Sequence, residues 1–145
     1  MSPILRPILA ADDEEADRFV LNLALEKARL PHPVVIVRDG QEVVDYLSGH
    51  APFMDREIHP LPSLLLLDLK MPRLDGFEIL AWLATRLDFK ELPVVVLSSS
   101  SADSDIQMAR QLGAREYFIK PHALSDWVSI LQGLQSRYLG EPCRC

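Results

Sequence analysis

Leu64-Leu65-Leu66-Leu67-Asp68-Leu69-Lys70-Met71-Pro72-Arg73-Leu74-Asp75-Gly76 is the stretch that decides the fold. Four consecutive leucines without in/out alternation read as a short strand covered on both faces, as in a parallel sheet. Asp68 ends that run, so a carboxylate is expected at the carboxyl end of a buried strand. Asp75-Gly76 then opens a helix through Ile79, Leu80, Trp82 and Leu83 to about Leu87.

The same alternation of short apolar runs with amphipathic stretches extends along the chain, the signature of repeated βα units. The other strand candidates are Ile8-Leu9-Ala10-Ala11, Val34-Val35-Ile36-Val37, Val94-Val95-Val96-Leu97 and Tyr117-Phe118-Ile119. Glu15 to Arg29 carries Phe19, Leu23 and Leu30 at helical spacing and stops before Pro31-His32-Pro33. Gln41 to Ser48 reads as a short helix closed by Gly49. Asp103 is the expected N-cap of a helix that Gly113 ends, and Ser125 that of a last helix over Asp126 to Tyr138. Trp82 and Trp127 fall on apolar helix faces and read as packing residues. His50 to Ser63, with Pro52, Pro60 and Pro62, is long for a loop in so compact a domain.

The chain has 145 residues, enough for one ordinary domain with its own core, and it leaves no room for a second catalytic or DNA-binding domain. The expected division is a domain over 1–140 and a tail over 141–145. An apolar share of 48% and a charged share of 25% are those of an average globular protein. A net charge of -6 with no basic run argues against tracking a nucleic-acid backbone. The longest strictly apolar run, Ile79 to Ala84, is far too short to span a membrane, and the N-terminus lacks an extended apolar signal region, so the expected location is the cytoplasm. Cys143 and Cys145 read as incidental thiols of the tail, and the four histidines show no zinc-ligand spacing.

In an open parallel sheet, ligands bind at the carboxyl ends of the strands, where the winding direction reverses. The first strand candidate runs into Asp12-Asp13, the third into Asp68, the fourth into Ser98 and the fifth into Lys120-Pro121. Three carboxylates in one cleft raise one another's pKa and need a compensating cation. With oxygen donors only, a hard ion fits, Mg2+ first and Mn2+ as the alternative. Such an ion would also offset charge as Asp68 attacks a phosphorus atom. Lys120 supplies a positive point charge and Ser98 a hydroxyl donor, each suited to a phosphoryl oxygen. Taken singly, Asp12-Asp13 could equally serve a helix dipole and Ser98 be turn material; their coincidence at strand ends makes the case.

These stretches resemble the receiver domains of bacterial two-component response regulators over roughly residues 4 to 138. The matching segments are Ile8 to Glu14 for the acidic pair, Leu67 to Gly76 for the phosphoacceptor loop in the pattern Asp-x-x-Met-Pro-x-x-Asp-Gly, Pro93 to Ser98, and Tyr117 to Pro121. The resemblance implies a doubly wound, flavodoxin-like α/β fold with five parallel strands in the order 2-1-3-4-5. It implies that a sensor histidine kinase or phosphotransfer domain donates a phosphoryl group to Asp68. It further implies metal ligation by Asp12, Asp13, Asp68 and the Lys70 backbone carbonyl, phosphoryl sensing by Ser98 and Lys120, and a switch aromatic at Tyr117. Lys70 and Ser100 sit where the family tunes the lifetime of the phosphorylated state. Ser98 stands where threonine is more frequent, keeping the hydroxyl while loosening its rotamer. The His50 to Ser63 loop and the lack of an output domain resemble small regulators paired with phytochrome-like kinases, with the downstream target, and a homodimer among the candidate outputs, left open.

Two other classes compete. A haloacid-dehalogenase-like phosphatase also uses a strand-end aspartate with Mg2+, but it expects a second acid two residues after the nucleophile, where Lys70 stands. A binding module that never uses phosphate would not be expected to keep Asp12, Asp13, Asp68, Ser98 and Lys120 together.

Overall fold

The computed structural model describes residues 6–139. Cys143, Cys145 and the expected tail lie outside the described residues. Five parallel strands form one sheet: β1 (Ile8–Ala11), β2 (Val34–Val37), β3 (Leu64–Leu67), β4 (Val94–Ser98) and β5 (Glu116–Ile119), in the order β2-β1-β3-β4-β5. Five helices alternate with them: α1 (Glu15–Ala28), α2 (Gly40–Ser48), α3 (Gly76–Ala84), α4 (Asp103–Gln111) and α5 (Leu124–Leu134). Every strand expected from its apolar run is present, and the expected fold and strand order are those observed.

The reason the runs lack alternation is visible in the packing. Leu9, Ala11, Leu65, Leu67, Val94 and Val96 face one core shared with α2, α3 and α4. Ile8, Ala10, Leu64, Leu66, Val95 and Leu97 face a second core against α1 and α5. Side chains alternate between the faces as a pleat requires, and both faces are buried, so both sets must be apolar.

Several local expectations fail for identifiable reasons. Phe19 is 65% exposed, whereas α1 buries Leu21, Ala24 and Ala28. The buried stripe runs through Leu21, Ala24 and Ala28 at helical spacing, and Phe19 falls outside it. Helix α3 ends at Ala84 rather than near Leu87. The chain turns extended at Arg86, whose guanidinium stacks over Trp82 and Phe89 and pairs with Asp88, and a 3-10 turn at Leu87–Phe89 follows. The N-caps of α4 and α5 are Ala102 and Ala123, so Asp103 and Ser125 lie inside their helices. Helix α5 stops at Leu134 and continues as a π-helical turn, Gln135–Leu139.

Trp127 is buried, and its indole N–H donates to the Pro121 carbonyl at 3.0 Å, which ties α5 to the loop after β5. The long His50 to Ser63 segment has no helix or strand of its own. Arg56 holds it by donating to the carbonyls of Tyr46, Leu47 and His59, and the Tyr46 hydroxyl donates to Pro60.

Helix α3 starts on a capping box: the Asp75 carboxylate accepts from Glu78 N–H while the Glu78 carboxylate accepts from Asp75 N–H. Gly76 is needed there for space, since a Cβ would lie 2.6 Å from the Asp68 carbonyl oxygen and 2.7 Å from Leu69 Cα. Gly76→Ala is therefore expected to destabilise the domain by about 1–3 kcal/mol in urea unfolding, as overpacking against backbone does. A native-like midpoint would show that the loop at Asp68 yields freely.

Candidate functional site

The backbone ladder runs one residue beyond the strands and fixes the polar residues there. Asp12 N–H donates to the Val37 carbonyl, Asp68 N–H to the Ala11 carbonyl, and Lys120 N–H to the Ser98 carbonyl. Asp12 and Asp68 thus leave neighbouring strands β1 and β3, at the point where the strand order reverses. Asp12, Asp68 and Ser98 are the buried polar residues among those described, while Asp13 is exposed.

One oxygen from each of Asp12, Asp13 and Asp68 lies within 4.8 Å of the others, the one such group of potential metal ligands among the described residues. An all-oxygen donor set open to solvent through Asp13 suits a hard divalent cation, so the residues present fit the ion inferred from sequence. Beside the trio lies an open depression lined in part by Asp13, Lys70, Met71, Phe77 and Asp105.

Lys120 reaches into the carboxylates from β5. Its Nζ lies 2.9 Å from Asp12 Oδ2, 3.0 Å from Asp68 Oδ2 and 2.7 Å from Asp17 Oδ2. Burial works against the charge of Lys120, but hydrogen bonds to Asp12 and Asp17 and the charge of Asp68 outweigh it and raise its pKa. Asp68 behaves oppositely. Burial, reinforced by the charge of Asp12 and opposed by Lys120, pushes its pKa up to about 6. The two directions are compatible because the ammonium is shared with Asp12 and Asp17, so its charge offsets only part of the burial of Asp68.

Ser98 Oγ accepts from Ser100 N–H at 3.1 Å, leaving its own proton as the group to offer an incoming oxygen. Ser100 Oγ donates to Asp105 Oδ2 at 2.6 Å, and the Tyr117 hydroxyl donates to the Ser100 carbonyl at 2.8 Å. Ser98, Ser100 and Tyr117 are consequently linked in one chain of contacts from β4 to β5. Lys70 is exposed, and its N–H approaches Asp68 Oδ1 at 3.3 Å.

Three participants escaped the sequence reading. Asp17 and Arg18 sit in the first turns of α1, where acids and bases usually read as solvated helix surface. Yet Asp17 pairs with Lys120 and Arg18 donates to the Asp12 carbonyl at 2.9 Å. Asp105 holds Ser100 across the start of α4. The signal available was spacing: residues 17 and 18 lie one to two helical turns beyond the acidic pair.

The raised pKa of Asp68 has a sign that can be checked. The folded metal-free protein binds this proton more tightly than the unfolded chain does, so the contribution of Asp68 to stability falls as pH rises from about 4 to about 6 and stays low above that. Asp68→Asn is expected to stabilise the metal-free protein at neutral pH by on the order of 1–2 kcal/mol and to remove that part of the pH dependence. Chemical denaturation across this pH range, native against variant, makes the comparison. A variant less stable than native at neutral pH would contradict the account.

Comparison with known proteins agrees with the geometry. Residues 8–132 match the model of the response regulator receiver domain. Response regulator Rcp1 of Synechocystis sp. is 33% identical over 132 residues, covering 91% of this chain and 88% of that protein. The structure of response regulator RPA3017, in red light signaling of R. palustris, superposes with a TM-score of 0.87 at 32% identity, over 93% of this chain and 94% of that one. The phosphorylated cyanobacterial phytochrome response regulator RcpA does so with a TM-score of 0.82 at 35% identity, over 93% and 94%. The Mn2+-bound form of Rcp1 gives 0.78 at 32% identity, over 91% and 93%. With its strand order, its strand-end acids and these relatives, the chain belongs to the response-regulator receiver domains of two-component signalling.

Proposed function

We propose that this receiver accepts a phosphoryl group on Asp68 from a histidine of a sensor kinase or phosphotransfer domain, in a Mg2+-dependent reaction, and changes a partner-binding surface in response. The observation that carries the reading is the meeting of Asp12, Asp13, Asp68 and Lys120 at one sheet edge. In the transfer, an Asp68 carboxylate oxygen forms a bond to phosphorus as the phosphorus–nitrogen bond of the phosphohistidine breaks, and the imidazole nitrogen keeps the electron pair. Asp12, Asp13, Asp68 and the Lys70 carbonyl would hold the cation, Mg2+ or Mn2+. When bound, it neutralises charge on the carboxylates and the phosphoryl oxygens. A Mn2+-bound Rcp1 and a phosphorylated RcpA among the similar structures support both parts of this reading.

Lys120 then exchanges its contact with Asp68 for one with a phosphoryl oxygen, and Ser98 donates its hydroxyl proton to another. Movement of Ser98 acts on Ser100 through the 3.1 Å contact, and on Tyr117 through its hydroxyl bond to Ser100. Tyr117 is the switch aromatic of this reading, and the responsive face is α4, β5 and α5. About two added charges, met by fixed donors, suffice to bias such a face. Lys70 and Ser100 govern how readily water reaches the phosphorylated Asp68. A phytochrome-like kinase is the proposed donor, on the strength of RcpA and RPA3017. We assign no catalytic turnover on other substrates, a cytoplasmic setting, and residues 1–140 as the receiver unit. The downstream surface is a partner protein or a second copy.

Intact-mass analysis after incubation with acetyl phosphate, with and without Mg2+, tests the reading. One phosphoryl adduct is expected on the native protein with Mg2+, and none on Asp68→Asn. Absence of the adduct on the native protein would overturn the assignment, and its persistence on the variant would move the acceptor elsewhere.

A further inference from the structure

We propose that Asp17 is a positioning residue that holds the Lys120 ammonium on line for the phosphoryl group bound at Asp68, an inference that rests on Asp68 being the phosphoacceptor. The Lys120 ammonium sits among three carboxylates: it donates hydrogen bonds to Asp17 at 2.7 Å and Asp68 at 3.0 Å, and forms an ion pair with Asp12 at 2.9 Å. Two of these partners change role during the reaction. Asp12 belongs to the trio that fits the cation, and Asp68 becomes esterified. Asp17 belongs to neither, since the oxygen cluster comprises Asp12, Asp13 and Asp68. It is also the shortest of the three contacts.

A free lysine side chain loses rotamer freedom when it is fixed in one geometry. Asp17 meets that requirement before the phosphoryl group arrives. The lysine side chain is 10% exposed and that of Asp17 28%, so the pair is shielded on the lysine side while Asp17 keeps access to water. Helix α1 holds Asp17 in place: its main body packs along α5, and Arg18, the next residue, donates to the Asp12 carbonyl at 2.9 Å. The ammonium is thereby tied to α1 on one side and left to trade Asp68's carboxylate oxygen for a phosphoryl oxygen on the other.

The test uses the full chain as native protein, Asp17→Ala and Asp17→Asn, each also in a Lys120→Ala background. The first readout is the rate constant of phosphorylation by acetyl phosphate at saturating Mg2+. Asp17→Ala is expected to lower it about fivefold, a typical coupling for directly paired groups, and Asp17→Asn, whose amide oxygen still accepts, about twofold. In the Lys120→Ala background neither change should have an effect. The second readout is the 15N resonance of the Lys120 ammonium in the metal-free protein, expected sharp in the native chain and broadened in Asp17→Ala. An unchanged or faster rate in Asp17→Ala, the same loss without Lys120, or an unaltered ammonium resonance would overturn the proposal. A native protein that takes up no phosphoryl group would instead refute the Asp68 reading, and the ammonium resonance would still decide the role of Asp17.

Discussion

A single lysine ammonium stands among the carboxylates at the carboxyl edge of the sheet, and the arrangement of that edge depends on it. Asp12 and Asp68 are buried at the ends of adjacent strands, and for Asp68 lost hydration and the neighbouring charge of Asp12 both disfavour ionisation. Lys120 lies within 3.0 Å of each and also of Asp17. Burial, only partly offset by a lysine charge shared among these acids, pushes Asp68 up to about 6. An edge of this kind gains from any further cation and from any chemistry that turns Asp68 from a bare carboxylate into an ester. Its reactivity and its cost to folding have the same origin.

The fold supplies the precision. Ladder hydrogen bonds that extend past β1, β3 and β5 fix the backbones of Asp12, Asp68 and Lys120. Gly76 lets the start of α3 close against the Asp68 carbonyl, so the loop after β3 is packed by α3 as well as paired through the ladder. Trp127 anchors the segment just after Lys120 through Pro121. The link from Ser98 through Ser100 to Tyr117 offers a route from the edge to β5 that requires no rearrangement of either core.

The strands were legible because burial on both faces forces nearly unbroken apolar runs, a strong local signal. Asp12, Asp68, Ser98 and Lys120 were legible because each interrupts such a run at its end, and the pattern after Asp68 singled out a family. Asp17 was not, since its partner is 103 positions away and nothing local distinguishes it from other acids in a first helical turn. The misreading of Phe19 shows the complementary difficulty. A large apolar residue dominates a periodicity argument, while Ala24 and Ala28, which touch the core, contribute little to it. The caps at Ala102 and Ala123 carry no side-chain hydrogen bond, so nothing in their chemistry announced them.

The central claim is that Lys120 compensates, in the metal-free protein, the charge that a bound cation later shares. Calorimetric titration with Mg2+ of the native protein and of Lys120→Ala tests it most directly. Removing the ammonium takes away a competitor for Asp12 and Asp68, and at an effective surface dielectric a unit charge at this range is worth enough to tighten binding by about threefold or more. A Kd for Mg2+ lower in Lys120→Ala than in the native chain is the expected result. An unchanged or weaker affinity would contradict the account.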